Sequence, residues 1–257
     1  MSIKTYTEKM KIIYDGFIDF LDNEDSIEEE FIYFNTILEK QNIKENPNDL
    51  RLFLHLLVNV SNNHHRKINF YKEIEKILIS FKYELKRFYS NTRLYNIFKS
   101  NKKLLLFIIN EKLIIDYYIL KNMIKGKYYV YNYPQYFAPE IKHFVNENFH
   151  SSRIYFNALK NIINKDLPAD FEENRLQGEN EKKICEMIRD DKIIDFITYV
   201  NKTNYSLKSH ISPSIYETNS FLIKKQVKKT KYMIQNDEEE NPTLIEYATF
   251  LWINSNF

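Results

Sequence analysis

Apolar side chains recur every three or four residues through most of the first half of this chain, the spacing that gathers them on one face of a helix. Tyr6, Met10, Ile13, Phe17 and Phe20 mark a first helix, and Ile27, Phe31, Phe34 and Leu38 mark a second. Ser26 and Glu29 stand at capping-box spacing, where the hydroxyl accepts from an early backbone N–H and the carboxylate accepts from the N–H of the cap. Asn46-Pro47 closes one element and opens another, because proline at the first helical position gives up an N–H that has no partner there. Leu50, Phe53, Leu54 and Leu57 carry the pattern on.

The clearest stretch is Ile68, Tyr71, Ile74, Leu78, Phe81, Leu85 and Phe88, which predicts one long amphipathic helix with Lys and Glu on its far side. Shorter helices are expected at 92–99, 102–109 and 113–125, the last ended by Gly126 in a left-handed conformation. Between 127 and 139 the composition shifts to Tyr128, Tyr129, Tyr131, Tyr133, Tyr136 and Phe137 around Pro134, which predicts an ordered loop packed on its own aromatics. Helices resume with Ile141, Phe144 and Val145, and again with Ile154, Ala158, Leu159 and Ile162. The segment 164–180, with Pro168, several acidic residues and Gly178, reads as a domain junction. Two short helices near 181–189 and 192–201 follow, and a final helix should open at Thr243, with Glu246 completing a second capping box.

Composition sharpens this reading. Average glycine usage of about 7% would put roughly 18 glycines in a chain of 257 residues, and there are 3, which argues against sheets joined by tight turns and against a glycine-rich phosphate cradle. Lys+Arg 37 against Asp+Glu 35 leaves 37 − 35 = +2, a balance that does not favour a nucleic-acid partner. A single cysteine, Cys185, cannot form an internal disulfide and fits a reducing compartment. Lys4, Glu8, Lys9, Lys11 and Asp15 interrupt the N-terminus, so no signal-peptide core is present. The apolar run 104–109 falls far short of the ~20 residues that span a bilayer. The expectation is a cytoplasmic protein with no membrane partner.

The C-terminal third resembles a known family. It carries Gly178-Glu179-Asn180-Glu181, Ile184-Cys185-Glu186-Met187-Ile188-Arg189-Asp190-Asp191, Phe196-Ile197-Thr198-Tyr199-Val200-Asn201, Ile215-Tyr216-Glu217-Thr218-Asn219 and Pro242-Thr243-Leu244-Ile245-Glu246-Tyr247-Ala248. These strings look like a domain of unknown function that leads into ankyrin repeats in the large multigene ankyrin-protein families of parasitic flagellate protists. Phe98-Lys99-Ser100-Asn101-Lys102 and Asn132-Tyr133-Pro134-Gln135-Tyr136-Phe137-Ala138-Pro139-Glu140-Ile141 resemble the same proteins upstream of their repeats. The likeness covers most of the chain in scattered blocks, and its specificity lies in their order and spacing. In the ankyrin pattern Thr caps a short helix, Leu enters the core and a small Ala admits the partner helix, and Thr243 to Ala248 is similar, with Leu244 where proline is expected. The resemblance implies an N-terminal helical domain at 1–165, a linker at 166–180 and a degenerate, incomplete ankyrin-like start at 181–257. A charged insertion at 224–240 separates two family blocks, and the downstream repeats are expected to be missing.

Candidate chemistry is sparse. His64 and His65 lie in a polar break with no Cys or carboxylate at ligand spacing, so a metal site is not expected. His55 falls in a leucine-rich stretch and reads as a helix-packing histidine, while His143, His150 and His210 have no nucleophile and orienting group around them. Cys185, between Ile184 and Met187, reads as a buried small hydrophobe. Glu28, Glu29 and Glu30 favour the positive end of a helix dipole. Lys224, Lys225, Lys228, Lys229 and Lys231 offer a nucleic-acid contact or a nuclear address, but Asp237 to Glu240 follow and neutralise them. Tyr128, Tyr129, Tyr131, Tyr133 and Tyr136 form either a partner-contact loop or a structural one.

The fold expected is therefore all-α, a helical bundle or α-solenoid leading into a degenerate ankyrin-like helical stack. The function expected is a non-catalytic protein–protein interaction module of ankyrin-repeat type, with an unidentified protein partner and no cofactor, metal or catalytic residue. The alternative is a helical-repeat RNA-binding protein that uses the tyrosine-rich loop 127–137 and the lysine cluster 224–231. A hydrolytic enzyme would rest on His64 and His65 alone.

Overall fold

α1 (Ile3–Asp22) and α2 (Ile27–Lys40) pair through the residues that their periodicity turns inward. Phe17 and Phe20 lie 5.5 and 5.7 Å from Phe34 between ring centroids, and Phe17 meets Phe53 of α3 (Pro47–Asn63) edge-on at 6.4 Å. Gly16 permits this approach, since a Cβ there would stand 2.6 Å from the Ile37 side chain. The structure, a computed structural model, describes residues 3–22, 27–63, 70–114, 133–147, 166–211, 214–218 and 242–255. Among these there are thirteen helices and no strand, and the only paired extended backbone is one antiparallel bridge between His210 and Thr243. The fold is all-α.

Local signals place several helix starts. The Asn46 side-chain oxygen accepts from the N–H groups of Asn48 and Asp49 at 2.9 and 3.4 Å, with Pro47 opening α3 behind it. Glu28, Glu29 and Glu30 occupy the first turn of α2, while Ser26 lies outside the described residues.

The long helix expected over 68–88 is divided into α4 (Phe70–Ser80) and α5 (Lys82–Phe88). At the break Phe81 leaves helical geometry, its N–H turns three residues back to the Leu78 carbonyl at 3.2 Å, and the Ser80 hydroxyl takes the Ile77 carbonyl at 2.8 Å. The displaced ring is buried 5.7 Å from Phe53. Because no residue is inserted at the break, the apolar spacing runs through it and conceals it.

α6 (Asn91–Phe98) starts on Ser90, whose hydroxyl accepts from the Arg93 N–H, and α7 (Lys102–Asn110) starts on Asn101, whose side chain accepts from the Leu104 N–H at 2.9 Å. Of the helix expected at 113–125, Leu113 and Ile114 are buried but not helical, and the remainder, with Gly126, lies outside the described residues. The aromatic loop is also corrected from Tyr133 onward: α8 (Tyr133–Tyr136) is a single helical turn followed directly by α9 (Ala138–Glu147). Pro134 and Pro139 are each second in their helix, where a missing N–H forfeits no helical bond.

The segment 166–180 holds α10 (Phe171–Gln177), capped by Gly178 at φ 73°, where a left-handed residue closes the last turn. Beyond it α11 (Lys183–Arg189) and α12 (Ile193–Thr203) form a hairpin, and α13 (Leu244–Ser255) packs on α11. The capping box of α13 forms: the Thr243 N–H donates to Glu246 Oε2 at 2.9 Å and the Glu246 N–H donates to the Thr243 hydroxyl at 3.2 Å. The described residues hold two apolar cores, one built by α1 to α9 and a smaller one around Ile184, Cys185, Ile211, Leu244, Tyr247 and Leu251. No described helix is long and apolar enough to cross a membrane.

Candidate functional site

Tyr133 and Tyr136 are inside the main core, with their rings 5.5 and 4.9 Å from Phe137. The Tyr133 hydroxyl donates to the Lys99 carbonyl and the Tyr136 hydroxyl to that of Arg175. As placed, neither ring has a free face for a partner or a base. Tyr128, Tyr129, Tyr131, the lysines 224, 225, 228, 229 and 231, and His64, His65 and His150 lie outside the described residues. His143 and His210 are exposed. His55 is exposed too, so it is not a packing residue: Phe53, Leu54, Leu57 and Val58 take the inner positions around it. Cys185 is fully buried, and burial pushes its thiol up to about 12. Among the described residues no group of three or more His, Cys, Asp or Glu could hold a metal ion.

The structure brings together a different set of polar residues, along the seam between the two cores. Its first member is Asn101. While its side-chain oxygen caps α7, its amide donates to the Asn62 side chain at 3.0 Å and to the Tyr71 hydroxyl at 3.2 Å. The next residue, Lys102, is fully buried and crosses the seam. Its ammonium nitrogen donates to the backbone carbonyls of Ile215 and Glu217, each at 3.0 Å, and lies 5.7 and 5.3 Å from the ring centres of Tyr133 and Tyr136. Lys103 sits over Tyr71 at 4.1 Å.

These bonds hold down a short buried strap, residues 214–218, against the bundle. Thr218 anchors its end by donating both its N–H and its hydroxyl to the Gly178 carbonyl, at 3.0 and 2.7 Å. Tyr216 packs edge-on against Phe171 at 5.6 Å. On the other side Arg189 of α11 pairs with Glu179 at 2.6 Å and donates to the Asn180 carbonyl and the Tyr247 hydroxyl at 2.6 and 3.4 Å.

Burial dominates the electrostatics here. Lost hydration lowers the Lys102 amine to about 7, and the nearby Glu217 charge opposes that shift. Burial raises Tyr71 to about 12 despite its bonds to Asn101 and Thr218, and it raises Tyr136 and Tyr247 as well. Glu140 is also raised, because desolvation outweighs the Arg175 guanidinium beside it.

On the outside of the smaller core, α12 turns Phe196, Tyr199 and Val200 inward and leaves Ile193, Ile194 and Ile197 at 66%, 80% and 52% exposure. Leu207 and Ile245 are exposed on the same unit. Isolated apolar residues are normal at a surface, whereas three isoleucines within five consecutive positions make a continuous strip along little more than one helical turn.

Sequence reading passes over Lys102, Arg175 and Glu217, since a charged residue in a helix or loop is expected in water. The available signal was the cap at Asn101, which sets the start of α7 and hence the direction Lys102 takes. Compared with protein-family models, curated proteins and solved structures, the chain matches none of them.

Proposed function

We propose that this chain is a non-catalytic protein–protein interaction module whose partner docks on the exposed face of α12. The observation that carries the reading is the strip of Ile193, Ile194 and Ile197, which no described residue covers. Burying an isoleucine side chain contributes roughly 1.5–3 kcal/mol, so a complementary apolar surface gains affinity from each of the three. The α11–α12 hairpin with α13 stacked on α11 supports the same reading, because stacked helices offer a broad wall rather than a cavity around one reacting atom. The ankyrin-like reading of 181–257 belongs to this proposal and rests on the capped string Thr243 to Ala248 and the hairpin before it. So does a cytoplasmic location, which suits the single free thiol of Cys185. The RNA-binding reading loses Tyr133 and Tyr136 to the core.

The test compares proteins retained from a cell lysate by the wild-type chain and by an Ile193→Glu, Ile197→Glu double variant of equal helicity. A partner held by the first and lost by the second supports the proposal. Identical sets of retained proteins would count against it.

A further inference from the structure

Phe196, Tyr199 and Val200 seat α12 on the smaller core, yet no residue of this helix is fully buried. Ile193 and Ile194 precede Ile197 by four and three residues, so the three side chains adjoin on one face. Asp195 and Lys202 are seven residues apart, which puts them on a common stripe, two turns or about 10.5 Å distant along the axis. That stripe follows one edge of the isoleucine strip, beyond Thr198. Both charges are exposed, and among the described residues neither has a hydrogen-bond or ion-pair partner. Lys192, by contrast, is held by Asp190 and Glu186.

We propose that the occupant of this face is a second copy of the same chain, bound as an antiparallel α12–α12 pair about a two-fold axis near Ile197. The inference rests on the docking-face reading above and names its partner.

Charge and shape both point to the second copy. A two-fold axis across two antiparallel helices keeps each edge beside the same edge of the other helix and reverses its direction. Asp195 of one copy then faces the partner's Lys202, and symmetry makes the contact twice. The apolar strip meets itself, with Ile197 at the centre and Ile193 and Ile194 to either side. In the antiparallel arrangement the two helix dipoles also oppose one another. A net charge of +2 on 257 residues sets little repulsion against self-association. One helix face covers less than the about 800 Å² per partner of a standard stable interface, so the pair is weak and exchanges readily.

Sedimentation velocity of the full chain over a concentration series reads the association directly, with circular dichroism to show that each variant keeps its helices. The wild-type chain should move from monomer toward dimer as concentration rises, and Ile193→Glu, Ile197→Glu should remain monomeric. Asp195→Lys alone and Lys202→Asp alone should each weaken self-association by about tenfold or more, because each edge contact becomes a like-charge pair. Mixed together, those two variants should associate with one another, since each supplies the sign that the other needs. A wild-type chain that stays monomeric, a dimer that survives in the isoleucine variant, or two charge variants that do not associate when mixed would each overturn the proposal. A monomeric chain that still retains a lysate protein through Ile193 and Ile197 overturns self-pairing alone and leaves the docking face standing for a different partner.

Discussion

Arg175 of α10 meets Glu140 of α9 through both carboxylate oxygens, at 2.9 and 2.8 Å from a single guanidinium nitrogen. The same guanidinium donates to the Tyr136 carbonyl at 3.3 Å and to Glu172 one turn earlier in its own helix. This pair ties the segment read as a linker to the bundle. Because Arg175 is buried and Glu140 nearly so, removing either partner strands the other in a poorly hydrated place. Glu140→Leu should lower stability by about 2–4 kcal/mol. The Glu172→Ala change, at a mostly exposed carboxylate, should cost about 1 kcal/mol or less. Urea denaturation of both variants checks the contrast, and equal losses would show that Glu140 has no special part.

Gly178 holds a position that a side chain would spoil twice over. Its φ of 73° strains any L residue, and a Cβ would lie 3.1 Å from the Thr218 methyl. Gly178→Ala should therefore destabilise by about 1–2 kcal/mol and speed hydrogen exchange at Thr218 before exchange rises elsewhere. An alanine variant as stable as the wild type would mean that the chain relaxes around the cap at no expense.

Asn101 serves α7, Asn62 and Tyr71 at once. Asn101→Asp retains a capping oxygen but loses the amide donor, and it sets a carboxylate against the Asn62 oxygen. Asn101→Ala loses both roles. Both should be destabilised by about 1–3 kcal/mol in thermal or chemical melts. An Asn101→Ala melt indistinguishable from wild type would show that neighbouring water replaces the whole network.

Cys185 offers a test of the smaller core. With its thiol buried and raised to about 12, the native protein should resist a water-soluble disulfide reagent at mildly alkaline pH and react fully once denatured. Rapid native labelling would mean that the core around Ile184 and Tyr247 opens readily.

Much of the helical layout is legible along the chain, for physical reasons that act over a few residues. Asn46-Pro47, Asn101 and the Thr243–Glu246 box each satisfy backbone donors within the next turn, so their neighbours in sequence suffice to recognise them. Phe17, Phe34, Phe53 and Leu57 recur at helical spacing and are all buried. The break at Phe81 is not legible, because splitting the helix there leaves the apolar spacing intact. Nor is the helical turn at Tyr133–Tyr136, where proline reads as a breaker unless the helix is known to begin beside it. His55 is not legible for a related reason: apolar neighbours on both sides conceal which face of α3 a single position occupies.

The seam differs in kind. Periodicity and capping determined by themselves that this chain forms helices and, for α1 to α4, which apolar stripes they turn inward, since both depend on side chains one turn apart. Only the folded chain decided that Lys102 would reach carbonyls more than a hundred residues away, or that Ile193, Ile194 and Ile197 would face outward. Those outcomes depend on which helix lies against which, and a buried charge or an uncovered isoleucine is defined by neighbours that are distant in sequence.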